Sequence, residues 1–159
     1  MTSAYFGYNK KQVLQALRYH FISRREIRVM MIVVNIFAIV SAAFYFSHKI
    51  SPLAFLVSSV LWFSLMITFW FVLPNVIYKK ASTFKDHFKV SLEDQHLFLE
   101  NEKGSKSWPW TAFSTLVESP HFFHLYFDSR SFFLIPKGAF EGDTLVEARS
   151  VFKSKIRSK

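Results

Sequence analysis

Six histidines and no cysteine limit the chemistry open to this 159-residue chain. Without a thiol there is no disulfide, thiolate nucleophile or iron–sulfur site. A histidine metal site needs two imidazoles on one face, as a pair four apart on a helix provides. His121 and His124 are three apart in a segment that alternates like a strand, so their rings point to opposite faces. His20, His48, His87 and His96 are scattered. No glycine-rich phosphate loop or Gly-x-Ser-x-Gly elbow occurs, and Glu93, Asp94, Glu100 and Glu102 read as solvated hairpin ends. Catalysis is therefore disfavoured, and no cofactor or metal is expected. What remains is fixed positive charge: 20 Lys and Arg against 11 Asp and Glu give a net charge of +9.

The cations flank two apolar runs. Val29 to Phe46 and Leu53 to Tyr78 are 18 and 26 residues free of charge, separated only by Ser47, His48, Lys49, Ile50, Ser51 and Pro52. A hydrocarbon core about 30 Å thick needs roughly 20 helical residues to cross, so both runs are long enough and read as a transmembrane hairpin (29–78). Lys10, Lys11, Arg18, Arg24, Arg25 and Arg28 precede the first run, and Lys79, Lys80, Lys85 and Lys89 follow the second. The connection offers Lys49 alone, so the positive-inside rule predicts that both termini face the cytoplasm of a multi-pass protein. Lys10, Lys11, Arg18, Lys79, Lys80, Lys85 and Lys89 form an expected basic belt toward anionic lipid headgroups. Nucleic-acid binding is disfavoured, because no basic residues interleave with aromatics in a recognisable motif.

Neither run contains Asp, Glu, Lys, Arg or His, which removes most support for an ion or proton path. Asn35 is expected to face the second helix or another copy of the hairpin, since an amide in hydrocarbon wants a partner. Ser58, Ser59, Ser64 and Thr68 can bond back to their own helix. Trp62, Met66, Phe69 and Leu73 recur at helical spacing as a packing face, and Pro74 is expected to kink the second helix.

Ahead of the hairpin, residues 1–28 form an amphipathic segment. Met1 to Tyr8 has neither charge nor clear period, and a cleaved signal peptide is not expected. From Asn9, a candidate cap, Val13, Leu14, Leu17 and Phe21 recur on one helical face opposite Lys10, Lys11, Gln15 and Arg18. Residues 79–86 are a short linker.

From 87 to 159 the period changes from 3.6 to 2. Six strands are predicted, at His87 to Leu92, His96 to Asn101, Lys106 to Trp110, Phe113 to Glu118, Phe122 to Asp128 and Ser131 to Pro136. Pro109 marks the third as an edge or a break. In the fifth, Phe123, Leu125 and Phe127 share one face, and Phe122, His124, Tyr126 and Asp128 the other. A helix opening at Gly142 or Asp143 carries Leu145, Ala148, Phe152 and Ile156 on one stripe. Trp108, Phe123, Phe133 and Phe152 are expected in one core. The fold class is thus membrane α+β, an amphipathic helix and a hairpin followed by a small antiparallel β domain closed by a helix.

Several of these features occur in one order. Gly104-Ser105-Lys106-Ser107-Trp108-Pro109-Trp110, the aromatic strand Phe122 to Phe127 and Phe133-Leu134-Ile135-Pro136-Lys137-Gly138-Ala139-Phe140 before the final helix resemble the YcxB-like family of bacterial membrane proteins. The resemblance implies a pleckstrin-homology-like cytosolic fold and an inner-membrane address, and carries no established activity. Its motif falls on Trp108, Ile135, Pro136, Lys137 and Phe140, with Gly138 where a basic residue is common. The structural reading of the motif is that Pro136 ends a strand, Gly138 permits a tight turn and Phe140 plugs the core. Taken together, the expectation is a binding module that meets a protein partner or anionic lipid, with possible homo-oligomers; a small transporter or channel subunit acting as an oligomer is the alternative.

Overall fold

A computed structural model describes residues 1–158. The chain divides into two compact units, one of Met1–Ala16 with the chain from Ala81 onward, the other Leu17–Lys80. The division falls inside helix α1, Lys10–Ser23.

In the first unit, β1 (Lys89–Leu92), β2 (His96–Asn101) and β3 (Gly104–Pro109) form one antiparallel sheet, and β4 (Thr115–Glu118), β5 (Phe122–Tyr126) and β6 (Phe132–Pro136) a second. All six lie where alternation predicts them. β3 starts earlier than expected because Asn101 pairs directly with Gly104. A two-residue turn suffices there: the Asn101 side chain accepts the Lys103 amide at 3.0 Å, and Gly104 takes φ +148°, a region that favours glycine. Pro109 ends β3, and the chain turns into a 3₁₀ segment, Trp110–Ala112.

Helix α5 (Asp143–Lys155) closes the unit, with Ala148, Phe152 and Ile156 buried as the stripe predicts. Phe152 lies 5.0 Å from Phe123, 6.2 Å from Trp110 and 6.4 Å from Phe140, ring centre to ring centre. Phe123, Phe133 and Phe152 share one core with Val90, Leu97 and Ile135, and Trp108 packs against it half-buried. Beyond α5 the Leu116 amide donates to the Arg157 carbonyl at 2.8 Å, which lays the last described residues along the free edge of β4.

The N-terminal residues also belong to this unit. Met1 to Phe6 runs antiparallel along β1, with bridges Thr2 to Ser91 and Phe6 to Phe88. Four residue steps on one side face three on the other, so the segment carries a bulge. At the bulge the Ser3 hydroxyl accepts the Val90 amide at 2.9 Å while the Ser3 amide donates to the Val90 carbonyl at 2.7 Å. Gly7 then passes close to His87, and a Cβ there would lie 2.9 Å from the imidazole Nε2.

The second unit holds the end of α1, then α2 (Arg25–Phe46) and a second long helix made of α3 (Pro52–Ile67), a π-turn (Thr68–Val72) and α4 (Leu73–Lys80). Ser51 caps α3 by accepting the Ala54 amide at 3.2 Å, with Pro52 in the first turn. The long helices meet through Ser41 and Ser58, whose hydroxyls are 2.7 Å apart, and through Tyr45 stacked 4.5 Å from Phe55. Trp62, Met66, Phe69 and Leu73 are half-buried, as a packing face should be. Both helices, Arg25–Phe46 and Pro52–Lys80, are long and apolar enough to cross a membrane.

Candidate binding surfaces

Proline 74 sets the local chemistry of the second long helix. An α-helical carbonyl accepts the amide four residues on, and proline has none to give, so the Trp70 carbonyl loses that donor. Arg18 replaces it, its Nε donating to Trp70 O at 2.8 Å. The guanidinium lies 5.9 Å from the Trp70 ring centre and 5.5 Å from that of Phe71. Nearby, Leu73 N reaches back five residues to Thr68 O, and the Asn75 amide bonds Phe71 O at 2.7 Å. The expected perturbation at Pro74 thus takes the form of a π-turn just before it, with side chains bonding the carbonyls there.

Arg18, a member of the expected belt, has its head group held by backbone and rings within its own unit. Lys89 is similarly engaged, its ammonium 5.5 Å over the Tyr5 ring. Lys10 and Lys11 are exposed in the first turn of α1, where Asn9 accepts the Lys11 amide at 3.0 Å as its cap. Lys79 and Lys80 end α4 exposed, and Lys85 is exposed in the 3₁₀ segment Ser82–Lys85. Asn35 is half-buried and lines one cavity with Trp70 of the second long helix, while its amide donates at 2.7 Å to Met31 O on its own helix. Ser58, Ser59 and Thr68 do bond back to their own helix.

The motif residues divide between core and surface. Ile135 and Phe140 are buried, and Trp108 packs between Phe113, Phe127 and Phe133. Pro136 ends β6, and the 3₁₀ segment Lys137–Ala139 leads to Phe140. Gly138 is exposed with open space where a Cβ would go, so this turn does not require glycine. Lys137 is the polar centre. Its amide donates to the His121 carbonyl at 2.9 Å, its ammonium lies 5.6 Å over the Phe123 ring, and Nζ reaches Glu118 Oε1 at 2.7 Å. Arg149 from α5 meets the same oxygen through Nη2 at 2.9 Å and Nε at 3.0 Å. A two-cation contact therefore exists, with the second cation supplied by α5 instead of position 138. Burial works against the Glu118 carboxylate, but the hydrogen bonds from Lys137 and Arg149 outweigh it and hold the carboxyl below its ordinary range. The arrangement ties β4, the turn after β6 and α5 together.

On the other face of the second sheet, Phe122, His124, Tyr126 and Leu134 are buried although they lie outside the main core. Tyr8 contributes to this cover, stacking 6.4 Å from Phe122 and donating its hydroxyl to the Leu134 carbonyl at 2.8 Å. Burial pushes the Tyr8 phenol well above its usual range. His121 is exposed and His124 fully buried, so the two do not share a site. In the helical unit, burial and the nearby Arg24 push His20 down to about 4, which keeps it neutral near pH 7.

Against known protein families, residues 92–148 match the model of the YcxB-like protein family. The chain carries a YcxB-like domain, and that match covers Leu92 to Ala148, from the end of β1 into α5. No curated protein and no solved structure gives a significant match to the chain.

Proposed function

We propose that this is a multi-pass protein of the bacterial inner membrane that displays the YcxB-like domain to the cytosol as a binding module, working by recognition rather than catalysis. The observation that carries this reading is the exposure of the two long helices. Ile39, Phe46 and Leu53 are 69–77% exposed, and such a continuous apolar surface is stable in lipid rather than in water. A pleckstrin-homology-like architecture is supported by the N-terminal segment, which adds a fourth, bulged member to the β1–β2–β3 sheet opposite a three-stranded sheet, with α5 closing the domain. The exposed Lys11, Lys79, Lys80 and Lys85 suit an anionic leaflet, where each cation contributes roughly 1 kcal/mol. A protein partner has a second route, the free edge of β3, where Ser105, Lys106 and Ser107 are exposed.

Topology is the decisive test. Single Ser47→Cys and Ser105→Cys variants, both at exposed positions, are treated on intact cells with a membrane-impermeant thiol reagent. Labelling at position 47 alone is expected. Labelling at 105 and not at 47 would invert the orientation, and extraction of the wild-type chain from membranes by alkaline carbonate would remove the membrane assignment.

A further inference from the structure

The helical unit contains a cavity of about 380 Å³, lined by Arg28, Ile32, Asn35, Ile36, Ile39 and Trp70. Its size falls within the range of small-molecule sites, about 300–1,000 Å³. The cavity is open to the outside, because Ile32, Ile36 and Ile39 are all more than half exposed. The surface it exposes is apolar throughout: Arg28 borders one end through its carbon stem, and the amide of Asn35 is given to Met31 O. Arg28 donates to the Ile22 and Ser23 carbonyls over 3.4 and 3.3 Å, bonds that hold its guanidinium where α1 meets α2 without neutralising it. No carboxylate pairs with Arg28 among the described residues. Arg24 and Arg25 add charge close by, with Glu26 4.0 Å from Arg24.

Length points to the occupant. From Arg28 to Ile39 is eleven residues along α2, about 16 Å of helix, close to half of a hydrocarbon core about 30 Å thick. A slot of that depth, apolar along its length and bordered at one end by Arg28, fits a single lipid tail in one leaflet. Trp70 forms the wall contributed by the second long helix, within the π-turn that Arg18 holds. Basic pockets between membrane helices are known to take anionic headgroups.

We infer that this cavity holds one acyl chain of an anionic phospholipid, with the phosphate on Arg28. The inference rests on the membrane reading proposed above. It is tested on the full-length chain, purified in detergent with equal phosphatidylglycerol and phosphatidylcholine and analysed by native mass spectrometry. The wild type retains one phospholipid and prefers phosphatidylglycerol. Arg28→Gln lowers that preference about fivefold, the factor one cation beside an anionic headgroup contributes. Ile36→Trp fills the slot and removes the adduct of either lipid, whereas Lys85→Gln with Lys89→Gln leaves it intact. Equal retention of the two lipids by the wild type, or an adduct that survives Ile36→Trp, overturns the inference. Flotation with liposomes separates the two readings: a wild-type chain that does not float removes the membrane assignment, and one that floats yet retains no lipid removes only this site.

Discussion

The two units spend the same residue types in opposite ways. In the β domain Phe88, Phe113, Phe123, Phe140 and Phe152 are at most 6% exposed, whereas in the helical unit Phe37, Phe44, Phe46, Phe63 and Phe71 are at least 51% exposed. The first set is fixed by packing between sheets and helix, so each ring is held by its neighbours. The second set is arranged around helices that touch along one narrow face and leave the rest of their apolar surface exposed. Polar groups show the complementary contrast. The β domain gathers Lys137, Glu118 and Arg149 at its surface, while the helical unit uses Arg18, Asn75 and Thr68 side chains to bond its own backbone.

The largest test of this contrast is Phe123→Ala, since truncating a buried large aromatic costs about 3–5 kcal/mol, a large share of the stability of a small domain. Phe123 is fully buried against Phe152 and beneath the Lys137 ammonium. Limited proteolysis of the full chain in liposomes is expected to degrade the β domain rapidly while a protected hairpin fragment persists. Phe44→Ala, at an exposed helical position, leaves the pattern unchanged. Equal digestion of wild type and Phe123→Ala would dissolve the distinction between a core that packs and an apolar surface left exposed.

Much of this was legible in the sequence. The long helical runs follow from length and absence of charge, and the six strands and the α5 stripe from period. The docking of Met1 to Phe6 was not legible. A bulge breaks the alternation, and a serine hydroxyl stands in for a backbone acceptor, so nothing repeats. The partners of Arg18 were not legible for a different reason. On α1 it looks like one more cation on a polar face, and only Pro74, 56 positions away, creates the carbonyl that claims it. That signal is present in the chain, since an interior proline always removes one helical donor. What the sequence lacks is the crossing that brings α1 to it. The turn at Lys137 shows the same limit: the second cation comes from Arg149 in another element, which a motif confined to neighbouring positions cannot name.

Arg18 gives the next largest effect. Leaving a carbonyl in an apolar setting without its donor costs about 1–3 kcal/mol, so Arg18→Gln is expected to lower the unfolding free energy of the full chain in detergent by that amount. A double-mutant cycle sharpens the point. Pro74→Ala restores the backbone amide that Trp70 O lacks, and Arg18→Gln is then expected to cost clearly less in that background. An identical cost with Pro74 and with Ala at this position would mean that Arg18 acts through the Trp70 and Phe71 rings alone.

The smallest effect belongs to the surface cluster of the β domain. Glu118, Lys137 and Arg149 are 27%, 18% and 34% exposed at their side chains, so solvent and salt screen the contact and it contributes about 1 kcal/mol. Its sign with pH is fixed. The folded carboxyl is held below the ordinary value of 4.5, so folding favours the ionised form. The stabilisation is complete above the unfolded value and is lost as pH falls through 4.5 and then through the lower folded value. Glu118→Gln is therefore expected to cost about 1 kcal/mol at pH 7 and to converge on the wild type in acid. Asp128, whose carboxylate accepts the Arg130 and Ser131 amides at 2.6 and 2.8 Å, titrates in the same direction, so the variant keeps part of the acid slope. Urea unfolding of the β domain within the full chain, followed by tryptophan fluorescence from pH 3 to pH 7, reads both features. A wild type and variant that run parallel across that range would show that the Lys137 turn is held by Ile135 and Phe140 in the core, with the ion pairs contributing nothing.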